Sequence, residues 1–341
     1  MDVDFLKAIA NIENTSEPFC ILNIKNSVHV FTNLDKTYSD IEEIPDNVFA
    51  TGYQNYDSKS GQWCTWTDEK GRTHTVFQDR ARLSDQEKIK STHHWSTNMN
   101  QNEYVDLCEK MIEDMQKGEY FLANLTRKIE TNAKVDPIKV AIQSTFDHDC
   151  EFRYFFFSPE YSYLSLSPER FISINDGLIM SQPIKGTAAQ YGDLFDNDKD
   201  REENTMVVDL VRADLSQVCV PNSIEVSDFQ KITKHPGLVQ MNSTITGRLE
   251  NDFEIRKTIK QLMPIASVTG TPKPRVTKII NEYENLERGI YCGAIGWIDI
   301  TNNSCDLSVA IRGIEFVEDK VKIGVGSGIT ARSIALKEFE E

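Results

Sequence analysis

A lysine stands in the run Pro183-Ile184-Lys185-Gly186-Thr187, where the flanking proline and glycine predict a turn holding one amine on a nearly rigid backbone. Such an amine becomes a nucleophile when burial or a nearby cation lowers its pKa. Upstream, Ser167-Pro168-Glu169-Arg170 predicts a second turn that carries a carboxylic acid. A desolvated carboxyl keeps its proton and can give it to a departing oxygen, converting hydroxide, a poor leaving group, into water. Asp200 with Glu203, and Glu338 with Glu341, are acid pairs at i, i+3, so each pair shares one helix face. Two such faces brought together offer oxygen donors of the kind that hold Mg²⁺. Arg312 lies in Val309-Ala310-Ile311-Arg312-Gly313, a run of strand character in which a guanidinium needs an anionic partner. Gly326-Ser327-Gly328 lacks the Gly-Lys-Ser/Thr tail of a phosphate loop, which excludes a nucleotide site of that type. Glycines there let backbone N–H groups approach a carboxylate.

These groups need elements to position them. A helix is predicted from Glu103, with Tyr104, Leu107, Cys108, Met111, Ile112 and Met115 on one face and Gly118 at its end. Strands follow at 154–157, 163–166 and 171–174, the aromatic run Tyr154-Phe155-Phe156-Phe157 being core. A second helix covers about Arg201 to Leu215, with Met206, Val207, Leu210 and Val211 inward. A third starts at Pro274, carries Val276, Ile279, Ile280 and Tyr283, and stops near Gly289. Long strands are expected over 291–300, 307–316 and 321–325, then a last helix from about Ser333. In the N-terminal third, Phe19 to Leu22 and Val28 to Phe31 read as edge or hairpin strands. The polar stretch from Asp85 to Gln101 reads as a connector, and its adjacent His93 and His94 diverge too far to share a metal. Long antiparallel strands with helices set to one side predict an α+β fold. Residues 1–100 are expected to form a strand-rich N-terminal segment packed on the core, and residues 101–341 the domain that carries the chemistry.

Composition narrows the function. Hydrophobic residues at 39% and charged ones at 26% of 341 describe a folded chain, not a disordered one. Lys and Arg total 37 against 53 Asp and Glu, a net charge of −16, which repels phosphate backbones and makes nucleic acid an unexpected partner. A dianionic ligand would be repelled as well, so a site for one must gather its own cations. Seven cysteines without Cys-x-x-Cys spacing suggest neither zinc nor redox chemistry, and a reduced cytoplasm is expected. A targeting or membrane-spanning segment is not expected, because no apolar run approaches ~18 residues.

The ordered set of Ser167 to Arg170, Pro183 to Thr187, Asp200 to Glu203, Pro272-Lys273, Arg288 to Gly293 and Gly326 to Gly328 resembles the chorismate-utilising enzymes over roughly Asn102 to Glu341. The resemblance implies large antiparallel sheets flanked by helices, with 101–341 as the chorismate-binding catalytic domain. It also implies Mg²⁺ as cofactor, because Asp200, Glu203, Glu338 and Glu341 fall where the family holds its magnesium ligands. Glu169 would be the general acid beside the 4-hydroxyl, and Arg312 the clamp on a chorismate carboxylate. Thr187, Gln240, Ser267, Tyr291, Gly326 and Gly328 would line the same pocket. Lys185 bears on the reaction, because the anthranilate branch usually has alanine there and the aminodeoxychorismate branch has lysine. Leu122 occupies the place of the water-activating lysine in isochorismate and salicylate synthases, which argues against a water nucleophile. Three departures stand out: Gln240 for a common histidine, Ala188 for a common arginine, and Ala213 for an asparagine.

The implied reaction is amination of chorismate by ammonia to 4-amino-4-deoxychorismate through an adduct on Lys185, in the service of 4-aminobenzoate and folate synthesis. None of the cysteines sits in a Gly-x-Cys-x-Gly elbow, so ammonia is expected from solution or from a separate glutaminase subunit. No pyridoxal-phosphate signature is visible, so pyruvate should be retained. The rival expectations are anthranilate formation and a non-catalytic chorismate-binding protein on the same fold.

Overall fold

The computed structural model describes residues 16–24, 27–70, 94–147, 150–188, 191–195, 198–235, 238–284 and 286–340. The pairings among its strands are antiparallel and run as one long ladder. At one end Glu225–His235, Ile184–Ala188 and Leu178–Gln182 all pair with Leu238–Arg248. The ladder continues through Arg170–Asn175, Ser304–Val309, Ala294–Asp299, Phe49–Gln54, Gly61–Lys70, Ser27–Tyr38 and Phe19–Ile24. It then passes through Phe152–Phe157, Tyr161–Ser167 and Gly313–Val317 to Lys320–Thr330 and Leu122–Asn132. Helices are set against this sheet, in the α+β arrangement expected of the sequence.

The N-terminal strands lie inside the ladder. Phe19–Ile24 forms the expected hairpin with Ser27–Tyr38, but its other side pairs with Phe152–Phe157, so it is not an edge. Burial on both faces explains its unbroken apolar run: Phe19, Cys20 and Ile21 are fully buried, as is Phe155 opposite Ile21. The polar connector falls largely outside the described residues, His93 included, and Ser96–Thr97 pairs with the Leu122–Asn132 strand.

Helix Gln101–Gln116 starts at a capping box between Asn100 and Glu103, and buries Tyr104, Cys108, Met111 and Met115. Gly118, at φ 82°, follows its end. Helix Asp198–Leu215 begins three residues before the expected start and packs on strands Ile184–Ala188 and Leu238–Arg248. Helix Lys273–Tyr283 ends well short of Gly289. Past its C-cap the chain is drawn inward, where Arg288 and Glu284 form an ion pair with side chains 1% exposed. Arg288 donates to both Glu284 oxygens (2.8 and 2.7 Å), to the Val268 carbonyl (2.7 Å) and to the Asn124 carbonyl (2.6 Å), while Glu284 Oε1 accepts from the Thr126 N–H (2.8 Å). A buried pair satisfied on this many sides fixes the segments it touches.

Two strand expectations need correction. The strand placed at 291–300 runs from Ala294 to Asp299, because Gly293 N–H closes a turn onto Ile290 O (2.8 Å) with Cys292 at φ 67°. The strand placed at 307–316 is two strands, Ser304–Val309 and Gly313–Val317. The chain changes partner between them, pairing first with Arg170–Asn175 and then with Tyr161–Ser167. Those partner strands are themselves separated at Pro168-Glu169, where proline has no N–H to give a ladder. The two breaks coincide in space, with Val309 N–H bonded to Glu169 O (3.0 Å) and Leu166 N–H to Arg312 O (3.2 Å).

All seven cysteines are free and buried. No helix among the described residues is long and apolar enough to cross a membrane.

Candidate active site

The two ends of the ladder and helix Asp198–Leu215 enclose one cavity of about 710 Å³. Its walls carry Lys185, Thr187 and Gln240 from one end, and Asn124, Arg127, Gly326 and Gly328 from the other. Glu169 and Arg312 enter from the coincident strand breaks, Asp200 and Glu203 from the helix, and Ser267, Tyr291 and Glu338 from neighbouring segments. Every described residue that the sequence reading assigned to catalysis, substrate or metal therefore lines this cavity; Glu341 lies outside the described residues. Four cations (Arg127, Lys185, Lys199, Arg312) stand among four carboxylates (Glu169, Asp200, Glu203, Glu338). In a chain of net charge −16, this local supply of cations is what an anionic ligand requires.

Lys185 sits on a strand, not on the expected turn. Strand Ile184–Ala188 pairs with Leu238–Arg248, and its register shifts between Ile184 and Thr187. The bulge is built on Gly186 at φ 88°, where a Cβ would also lie 3.0 Å from Asp200 Cβ. Bulges re-aim side chains, and this one directs Lys185 toward the acids. A Cβ added to Gly328 would stand 3.6 Å from Lys185 Nζ and 3.1 Å from Glu203 Oε2. The bare glycine is what admits both groups, a matter of space more than backbone freedom. Past Ile323 the Lys320–Thr330 strand has lost its Gly313–Val317 partner, so beside Gly324 to Gly328 that edge is paired only on the Leu122–Asn132 side.

Glu169 is 4% exposed, and burial pushes its carboxyl from 4.5 to about 7. The Ser267 hydroxyl, close by but without a well-formed hydrogen bond, works against this rise, as do the Lys185 charge and the Ile184 backbone. The result is a carboxyl half protonated near neutrality, the state a general acid needs. Gln240 is 2% exposed, its Nε2 has no hydrogen-bond acceptor among the described residues, and it lies directly across the ladder from Thr187. Arg312, at φ 52°, occupies the left-handed region that a non-glycine residue rarely adopts. Its side chain makes no ion pair among the described residues, and burial lowers its pKa. The Tyr291 ring lies over Gly324, where a Cβ would come within 2.2 Å, and burial raises its hydroxyl well above the usual value.

Asp200, Glu203 and Glu338 line the same cavity. Burial raises the carboxyls of Asp200 and Glu203, partly offset by Lys199 at the first and by Lys185 and Lys199 at the second. Glu203 Oε1 and Glu338 Oε2 are buried without a hydrogen-bond donor among the described residues. Oxygen donors held apart from other partners are the type Mg²⁺ takes, so the residues fit that ion in kind. As they stand, though, no three such side chains among the described residues gather closely enough to hold a metal. Lys199 lies between them, donating to Glu338 Oε1 (2.5 Å) and 3.7 Å from Glu203 Oε1.

The sequence reading missed Lys199, Arg127 and Asn124. Lys199 had a signal, since it stands four residues before Glu203 on one helix face. Arg127 and Asn124 had none, because each reaches the site through a strand pairing. Arg127 donates to the Phe339 carbonyl (3.0 Å) and lies 3.8 Å from that ring's centre, which pins the short helix Ala335–Glu340 that bears Glu338. Tyr104, read as a core residue, is also bonded through its hydroxyl to Ser327 Oγ (2.9 Å).

Comparison with known proteins bears on the family and the fold. The profile of a family described as chorismate binding enzymes matches residues 25–341. The chain is 30% identical over 269 residues to aminodeoxychorismate synthase component 1 of Escherichia coli, covering 76% of this chain and 59% of that protein. It is 28% identical over 265 residues to anthranilate synthase component 1 of Aquifex aeolicus, covering 75% and 53%. The chain thus spans a little over half the length of these curated relatives. Among solved structures, the menaquinone-specific isochorismate synthase of Escherichia coli superposes with a TM-score of 0.81 at 17% identity, covering 98% of this chain and 88% of the other. Anthranilate synthase component I of Streptococcus pneumoniae superposes with a TM-score of 0.75 at 19% identity, covering 94% and 87%. At these identities the superpositions establish the fold.

Proposed function

The chain belongs to the chorismate binding enzyme family, and from that premise we propose that it aminates chorismate to 4-amino-4-deoxychorismate. The observation that carries this reading is the pairing of Lys185 with Glu169 in one cavity: an amine beside a buried carboxyl that holds its proton to about pH 7. The Lys185 nitrogen attacks C2 of the ring. The C1–C2 and C5–C6 double bonds shift to C1–C6 and C4–C5, and the 4-hydroxyl departs as water with the proton of Glu169. Ammonia then attacks C4, the double bonds return, the C2–N bond to Lys185 breaks to release its amine, and the proton that the new amino group sheds restores Glu169. The net change is one hydroxyl exchanged for one amino group, with the enolpyruvyl ether retained.

The remaining residues bind and orient. Arg312, exposed to the cavity without a partner among the described residues, suits a substrate carboxylate through its planar fork. Gln240 Nε2 supplies a donor, as do Ser267, Thr187 and the open backbone edge at Gly326 and Gly328. Tyr291 walls the ring. Asp200, Glu203 and Glu338, with Glu341, would hold Mg²⁺. When bound, that ion supplies the positive charge that lets an anionic substrate settle among carboxylates. Two relatives named as component 1 support a separate partner subunit, here a glutaminase that delivers ammonia, and the free cysteines suit the reduced cytoplasm as its place.

The test uses chorismate and Mg²⁺ with ammonia withheld. An adduct equal to chorismate less water should accumulate on Lys185 by mass spectrometry, ammonium should discharge it to 4-amino-4-deoxychorismate, and Lys185→Ala should abolish both. Anthranilate as the product, with no adduct under any condition, would place the chain in the other amination branch. No turnover of any kind would leave a binding protein.

A further inference from the structure

Lys199 belongs to no role assigned above, yet it is the cation most deeply engaged with the acid cluster. Its helix neighbour Glu203 lies at i+4, where an exposed lysine would ordinarily make a loose surface pair. Instead its ammonium reaches Glu338 Oε1, on helix Ala335–Glu340, at 2.5 Å. The carboxylates it meets are nearly enclosed, with side-chain exposures of 9% for Glu203 and 3% for Glu338. Glu338 keeps its other oxygen, Oε2, without a hydrogen-bond donor among the described residues, and Glu203 Oε1, which Lys199 approaches only to 3.7 Å, has none either. Lys199 itself is 34% exposed, so its four-carbon stem has open space into which to withdraw.

We propose that the Lys199 ammonium is the resident cation of this cluster and that a divalent ion enters by displacing it, so that Lys199 sets the affinity of the site. This rests on reading Glu203 and Glu338 as ligands. Buried carboxylates facing one another repel unless a cation lies between them, and in this arrangement Lys199 is that cation. A magnesium ion bound to the same carboxylates at ~2.1 Å would stand within roughly 5 Å of an ammonium left in place, a like-charge contact at close range in a partly desolvated site. One cation must leave, and the partly exposed lysine is the one with room to swing outward, since Glu203 is buried on a helix packed against the sheet and Glu338 is buried on the helix that Arg127 pins through Phe339. The energy of breaking the lysine's contacts is therefore subtracted from the binding of the ion.

The experiment titrates Mg²⁺ alone, without chorismate, into the full chain and its Lys199→Met, Lys199→Gln and Lys199→Arg variants. Calorimetry reads the affinity, and the rise in Tm at saturating Mg²⁺ gives a second readout. Lys199→Met and Lys199→Gln are expected to bind Mg²⁺ at least ~10-fold more tightly than the natural chain, equal to about 1.4 kcal/mol. Lys199→Arg, which keeps the charge, should stay near the natural affinity. Binding by the natural chain that is unchanged or weaker in both neutral variants overturns the displacement and leaves the ligand assignment standing. Absence of Mg²⁺ binding in every form overturns both.

Discussion

Substituting Glu169→Gln removes a carboxyl that burial has pushed from 4.5 to about 7, and the consequence for stability can be worked out. The folded chain holds this proton more tightly than the unfolded chain. The stability it contributes is therefore complete below about pH 4.5 and is lost as pH rises through about 7. Between those limits the proton affinity differs by roughly 2.5 decades, and at about 1.36 kcal/mol per decade the loss is about 3 kcal/mol. The side chain is 4% exposed, so solvent screening removes little of it. Glutamine cannot ionise and suffers no such loss. Urea denaturation of both proteins, repeated from pH 5 to pH 9, should show the variant gaining on the natural chain with rising pH and levelling off by about pH 8. A gap that does not change with pH would mean that Glu169 ionises as an ordinary surface acid. In that case it has no proton to give the departing hydroxyl near neutrality, and the proposed acid role fails.

Further outcomes follow from the same geometry. Glu284→Gln leaves the Arg288 guanidinium buried with its counter-charge gone and one of its two acceptor oxygens replaced by an amide NH₂, and should destabilise the chain by about 3–5 kcal/mol in urea; a loss below about 1 kcal/mol would show that the pair is not the clamp described. Gly328→Ala places a methyl 3.1 Å from Glu203 Oε2 and 3.6 Å from Lys185 Nζ, at a glycine without a left-handed φ. It should leave Tm nearly unchanged while turnover falls roughly 10- to 100-fold, since misplacement of reacting groups by a fraction of an ångström is costly. An equal loss of Tm and turnover would assign this glycine to the fold instead of the site.

Local pattern carried much of this protein. The helix at Tyr104, Cys108, Met111 and Met115 was legible because one face repeats every 3.6 residues, and those four side chains are buried. The acid pair on helix Asp198–Leu215 was legible for the same reason, since spacing along one helix fixes what shares a face, whereas the aromatic run at 154–157 was legible by residue type, as a strand covered on both faces. Lys185 and Glu169 were legible as chemical types, next to a glycine and a proline that mark departures from regular backbone. What pattern could not supply was any placement that depends on distant chain. The break that sets Arg312 beside Glu169 exists because two strands change partners at the same point, and neither run of sequence records the other. The insertion of Phe19–Ile24 into the middle of the ladder is likewise a matter of pairing with Phe152–Phe157, more than 100 residues away. Lys199 reads as one surface lysine among many until the C-terminal helix brings Glu338 to within 2.5 Å of it. Side-chain type and face are set by neighbours a few residues off, whereas charge balance in a cavity is set by whichever segments the folded sheet brings together.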